Sequence, residues 1–194
     1  MTKHAMDMVL EYAKVFPQNA DMGDPESSQK WLRELAKNGG QTVVNAFFTS
    51  EDQIQELLDA GFERMALNPN TGQEVDRIKS GNAELGIGKY LQLKRKITDI
   101  KEVKDRKTGQ FVEVDYGGYP QIVNATNGLD NLSVWDFEED GPLGNGTEAK
   151  VLFDLYNGRT LRLEAISVTK HVPYEEMTGS SVEGAEYFNV GAVA

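Results

Sequence analysis

Alternation of apolar and polar residues is the clearest order in this chain. Residues 147–155 (TEAKVLFDL) and 160–172 (TLRLEAISVTKHV) alternate cleanly, the period of strands with one buried face. Between them, Tyr156-Asn-Gly-Arg159 carries the Asn-Gly pair favoured in tight turns, so the two segments predict an antiparallel hairpin. Residues 8–16 (MVLEYAKVF) predict a first strand, with Val9, Ala13 and Val15 on one face and Leu10, Tyr12, Lys14 and Phe16 on the other. Residues 42–49 (TVVNAFFT) are rich in β-branched and aromatic residues, and predict a second strand. In residues 88–100, Leu91, Leu93 and Ile97 oppose Tyr90, Gln92, Lys94 and Lys96, with Arg95 breaking the inner row. Shorter strands are predicted at residues 110–116, 119–125 and 132–137.

The helical signals are few and short. Turn chemistry at residues 17–28 leads to a cap at Ser27 or Ser28, a helix over residues 29–38 with Trp31 on its inner face, and a stop at Gly39-Gly40. Ser50 followed by Glu51, Asp52 and Gln53 starts a second helix through Ile54, Leu57 and Leu58 to Gly61. Residues 68–82 predict a surface loop or loose hairpin around Asn70-Thr-Gly72, and residues 138–142 an acidic turn. The class is therefore mainly β with a few short helices. At 194 residues the chain predicts one domain, over residues 1–176, with residues 177–194 as a weakly ordered tail of small residues and scattered glutamates.

Charge changes this picture locally. The formal net charge is −11, which opposes nucleic-acid binding, since phosphate contacts depend on lysine and arginine. Yet Lys89, Lys94, Arg95, Lys96, Lys101, Lys104, Arg106 and Lys107 face only Asp99, Glu102 and Asp105 in the same stretch. The turn Asp105-Arg-Lys-Thr-Gly109 makes this island a hairpin arm with a charged tip. A solvated strand pair with ordinary surface lysines is the alternative.

Other chemistries find little support. There is no cysteine and there are only two histidines, His4 in a frayed terminus and His171 at a strand end, so no zinc site is expected. Asp136, Glu138, Glu139 and Asp140 lack the ligand spacing of a calcium loop, and neither a Walker loop nor a dinucleotide fingerprint is present. No cofactor and no catalytic residue is expected. A magnesium-dependent nuclease would rest only on Asp99 and Glu102-Val-Lys104, which lie too close together in sequence. The first residues lack an apolar signal core and no apolar run is long enough to span a membrane, so a cytosolic, non-membrane protein is expected.

Sequence-tolerant binding of a single strand needs positive charge for the backbone and exposed aromatic faces for the bases. Tyr90, Lys94 and Lys96 share a strand face beside Lys89 and Arg95, Tyr116 and Tyr119 flank Gly117-Gly118, and Tyr12, Lys14 and Phe16 alternate on the first strand. Phe47, Phe48 and Phe153 are expected in the core; Trp135, at a strand centre, serves either as core or as a stacking platform.

Gly144-Asn-Gly-Thr147 leading into AKVLFDLY, the turn, LRLEAISVTKHV and Pro173-Tyr174 resembles the closing segment of phage single-stranded DNA-binding proteins. Gly88-Lys-Tyr-Leu-Gln-Leu-Lys-Arg95 and Val114-Asp-Tyr-Gly-Gly118 are similar in kind. The resemblance covers about half of the chain. It implies an OB-type five-stranded barrel with a helix and an extended basic hairpin, which protects single-stranded DNA in replication and recombination in the cytoplasm of an infected bacterium. It implies replication proteins as further partners, recruited by an acidic tail that ends in an aromatic residue. This chain departs there: Glu175, Glu176, Glu183 and Glu186 are dispersed, Tyr187-Phe188 is internal, and Gly191-Ala-Val-Ala194 is apolar. A structural or carbohydrate-binding phage protein on the same barrel is the alternative.

Overall fold

The computed structural model describes residues 1–174, and the tail expected at 177–194 lies outside them. In chain order the elements are β1 (Thr2–Lys14), α1 (Lys30–Lys37), β2 (Gln41–Phe48), α2 (Glu51–Asp59), β3 (Met65–Leu67), β4 (Glu74–Asp76), β5 (Lys79–Ser80) and β6 (Lys89–Lys96). They continue with β7 (Ile100–Lys104), β8 (Phe111–Asp115), β9 (Gln121–Asn124), β10 (Ser133–Val134), α3 (Phe137–Asp140), β11 (Thr147–Tyr156) and β12 (Thr160–Lys170). The described chain is thus mainly β, and none of its helices is long and apolar enough to cross a membrane.

One large sheet carries the order β10-β9-β12-β11-β1-β2-β6-β5. β12 also meets β6 in parallel at Arg162↔Lys94, and runs parallel to β9 from Ala165↔Gln121 to Val168↔Asn124. β6 and β9 therefore lie along the same side of β12. Between them the chain leaves the sheet and forms the separate ribbon β7–β8. The basic island is divided: its first half lies in the main sheet, and only residues after Ile100 belong to the arm.

The inner row of every central strand supplies the core. Met8, Leu10, Phe48, Leu91, Leu93, Val151, Phe153, Leu163 and Ile166 are fully buried and form one cluster, to which α2 adds Ile54 and Leu57. The β11–β12 hairpin turns at Asn157 (φ 52°) and Gly158 (φ 69°), with Arg159 N donating to Tyr156 O at 2.9 Å. Two successive positive φ values are what the favoured Asn-Gly turn demands.

The first strand differs from its sequence pattern. His4, Met6, Met8 and Leu10 point inward, then Tyr12 adopts φ 49° and the register with β2 shifts between Glu11 and Lys14. The bulge is held by Asn145, whose Oδ1 accepts Tyr12 N at 2.8 Å, and by Gly146 N donating to Leu10 O. An extra residue reverses which side chains face inward, so Ala13 and Val15 are buried while Tyr12 and Lys14 stay outside; Phe16, past the strand end, is buried where the chain turns at Asn19. His4 is not frayed: it stacks on Phe153 at 5.5 Å and its Nδ1 lies 2.9 Å from Glu56 Oε1.

The helices follow their predicted positions with one inversion. Trp31 is exposed on α1, its Nε1 donating to Gln29, because the short helix buries no residue completely. The acidic stretch forms α3, where the Asp136 carboxylate accepts the Glu138 and Glu139 amides; this is the usual capping role of aspartate.

Candidate nucleic-acid interface

Neighbouring residues in register point to the same side of a sheet. Lys14 pairs with Val43, Val43 with Lys94, and Lys94 with Arg162. Their chain neighbours Thr42, Val44, Leu93 and Leu163 are buried, so the four residues form an outward line across β1, β2, β6 and β12. At about 4.8 Å between strands the line spans about 14 Å. Two residues further along, on the same face, Gln41 faces Lys96; two residues the other way Asn45 faces Gln92. Lys14 and Lys94 make no ion pair with any described residue, whereas Lys96 lies 4.0 Å from Asp99.

A tyrosine stands at each end. Tyr12, 64% exposed, precedes Lys14. At the other end Arg162 donates to the Tyr116 carbonyl and pairs with Glu164 at 3.0 Å. Tyr116 is exposed, with the Lys101 ammonium 5.9 Å from its ring centroid, and Tyr119 is exposed two residues after Gly117.

The root of the arm is built beside this end. Asp115 accepts the amides of Asp99 and Gly117 at 2.8 Å each, and these bonds hold its carboxyl below the usual carboxylate range. Gly118 N donates to Lys96 O at 3.1 Å. A side chain at Gly117 would put its Cβ 2.5 Å from Ile97 O, so only glycine permits this close crossing.

The other expected residues are engaged within the fold. Phe16 is 5% exposed and packs edge-on against Phe137 at 5.1 Å; Trp135 is 6% exposed, its Nε1 donating to Gly141 O and its ring meeting His171. Neither offers a free face for a base. Tyr90 leans on Phe47 at 4.9 Å, and Lys89 pairs with Glu51 at 2.8 Å. Arg95 turns back on the fold, donating to the Gly118 and Leu163 carbonyls and pairing with Glu164; it braces the arm root. Of the expected residues, Tyr12, Lys14, Lys94, Lys96, Tyr116 and Tyr119 remain exposed. Arg162 and Asn45 join them only through strand pairing, for which the sequence holds no local signal, whereas Gln92 shares the outward face already read from the alternation of β6.

No protein-family model matches the chain, and no characterised protein matches its sequence at a significant level.

Proposed function

We propose that this protein binds single-stranded DNA without sequence preference, on an OB-type barrel, as in phage DNA replication and recombination. The observation that carries the reading is the outward line Lys14–Val43–Lys94–Arg162 with Tyr12 and Tyr116 at its ends. Cations would take the phosphates, and exposed tyrosines would take the bases, which is the sequence-tolerant mode for single strands. The polar Asn45 and Gln92 beside the line offer hydrogen bonds to bases or sugars.

The barrel reading draws support from the circuit of pairings. β1 pairs with β2, β2 with β6, β6 with β12, β12 with β11, and β11 with β1. Five strands thus return to their start, and the line crosses the second and third, β2 and β6, at Val43 and Lys94. In OB folds the ligand lies over strands two and three and against the loop between strands one and two. Here that loop contains α1 with its exposed Trp31, a further stacking face.

The test is a titration of labelled single-stranded and duplex oligonucleotides by anisotropy at several salt concentrations. Tighter, salt-sensitive binding of the single strand is expected, weakened about tenfold or more in a Lys14→Ala/Lys94→Ala variant; loss of two charge-assisted contacts carries that order of effect. Equal affinity for duplex, or indifference to DNA at low salt, would overturn the reading and favour a structural or carbohydrate-binding role.

A further inference from the structure

The β7–β8 ribbon stands apart from the main sheet, and it carries both apolar and basic residues without partners. Two-stranded hairpins are marginally stable alone in water, yet this one leaves Ile100, Phe111 (67% exposed) and Val112 uncovered. Phe111 lies opposite Lys104, and the tip adds Arg106 and Lys107. None of these three cations pairs with a carboxylate among the described residues.

The opposite properties meet at the far end of the sheet. β10 is the terminal strand, with no strand on its outer side among the described residues. Leu129, Leu132 and Val134 (76% exposed) are uncovered there. Around them lie Asp130, Asp136, Glu138, Glu139 and Asp140, and residues 125–147 contain no lysine or arginine. These carboxylates also lack ion-pair partners among the described residues. Natural sheets blunt an edge with lysine, proline or a cover. The opposite terminal strand, β5, carries Lys79, whereas β10 carries no charge at all.

We propose that the β7–β8 arm of one copy docks on the β10 edge and acidic cap of a second copy, giving a head-to-tail assembly. Charge complementarity at the tip decides for a second copy of this chain: the ribbon as a whole is balanced, with Glu102, Asp105, Glu113 and Asp115 against its four cations, but its tip sets Lys104, Arg106 and Lys107 against Asp105 alone, and an acidic apolar edge occurs on the same molecule. The residues after Tyr174 would fit the edge poorly, since they carry four glutamates and no cation. Ribbon and edge both have free backbone groups, so the arm can add to β10 as an extra strand while Phe111 covers Leu132 and Val134. On β12, the arm leaves beside Arg162 and β9 pairs as far as Val168, about 20 Å along the strand. Two different patches on one molecule make a heterologous contact, which propagates as a ring or a filament.

The experiment needs no DNA. Sedimentation of the full chain at low salt is expected to show concentration-dependent oligomers that dissociate as salt rises. The arm variant Lys104→Glu/Arg106→Glu/Lys107→Glu and the cap variant Glu138→Lys/Glu139→Lys/Asp140→Lys should each sediment as monomers. Mixed in equal amounts they should associate again, because each then meets its complement. Circular dichroism of both variants checks that they fold, and all altered side chains are exposed or at the surface. A monomeric wild type, oligomers that survive either variant, or folded variants that fail to associate on mixing would overturn the proposal. Binding of a short single strand by the cap variant reads the DNA site separately.

Discussion

Tyr12 combines a left-handed backbone with an exposed ring. Bulky residues rarely hold that conformation, and the strain costs on the order of 1–3 kcal/mol; asparagine tolerates it better. Tyr12→Asn is therefore expected to melt at the same temperature as the wild type or higher, while single-strand affinity falls about tenfold for one lost stacking face, an effect of about 1–3 kcal/mol. An unchanged affinity would remove Tyr12 from the interface. Phe16 should behave in the opposite way. Its buried ring against Phe137 makes Phe16→Ala cost about 3–5 kcal/mol of stability, read as a lower denaturation midpoint, with binding preserved wherever the variant is folded.

At the scale of elements, the arm depends on its root. Gly117 crosses the backbone of residues 97–99 within contact distance, so Gly117→Ala is expected to destabilise by about 1–3 kcal/mol through overpacking. The loss should be confined to the arm, visible as faster amide exchange in β7 and β8 while β11 and β12 keep their protection. Asp115 latches the same root through the Asp99 and Gly117 amides. A carboxylate with a lowered folded pKa contributes stability above its unfolded pKa and loses it as pH falls through the lowered value. The latch is thus complete at neutral pH and is released on acidification below the usual carboxylate range. The Asp99 and Gly117 amide resonances should move there together, and Asp115→Ala should remove that transition.

For the whole molecule, an acidic chain that binds DNA must do so through a confined basic line, and salt dependence measures its size. Lys14, Lys94 and Lys96 give about three phosphate contacts, hence a log–log salt slope of about −2 for a single strand. Lys94→Ala should reduce its magnitude by about 0.7. A slope near zero would deny the line any part in binding. The remaining acidic residues, spread along the chain, would disfavour DNA elsewhere on the surface.

The sequence by itself determined most of the strands, the Asn-Gly hairpin, both longer helices and the turn at Asp105–Gly109, because each is written in local periodicity and turn chemistry; the first residues of β1 and the division of the basic island between main sheet and ribbon were not. It made Tyr12, Lys14, Lys94 and Lys96 legible as outward candidates, since lysine beside an alternating row marks the solvent face. Only the tertiary structure decided which aromatics are free. A one-residue bulge at Tyr12, held by Asn145 from 133 residues away, reversed the faces that follow, and the turn after β1 buried Phe16 against Phe137. Packing against His171 and Gly141 enclosed Trp135, and strand register brought Arg162 beside Lys94. These are contacts between residues distant in the chain, and no local pattern records them.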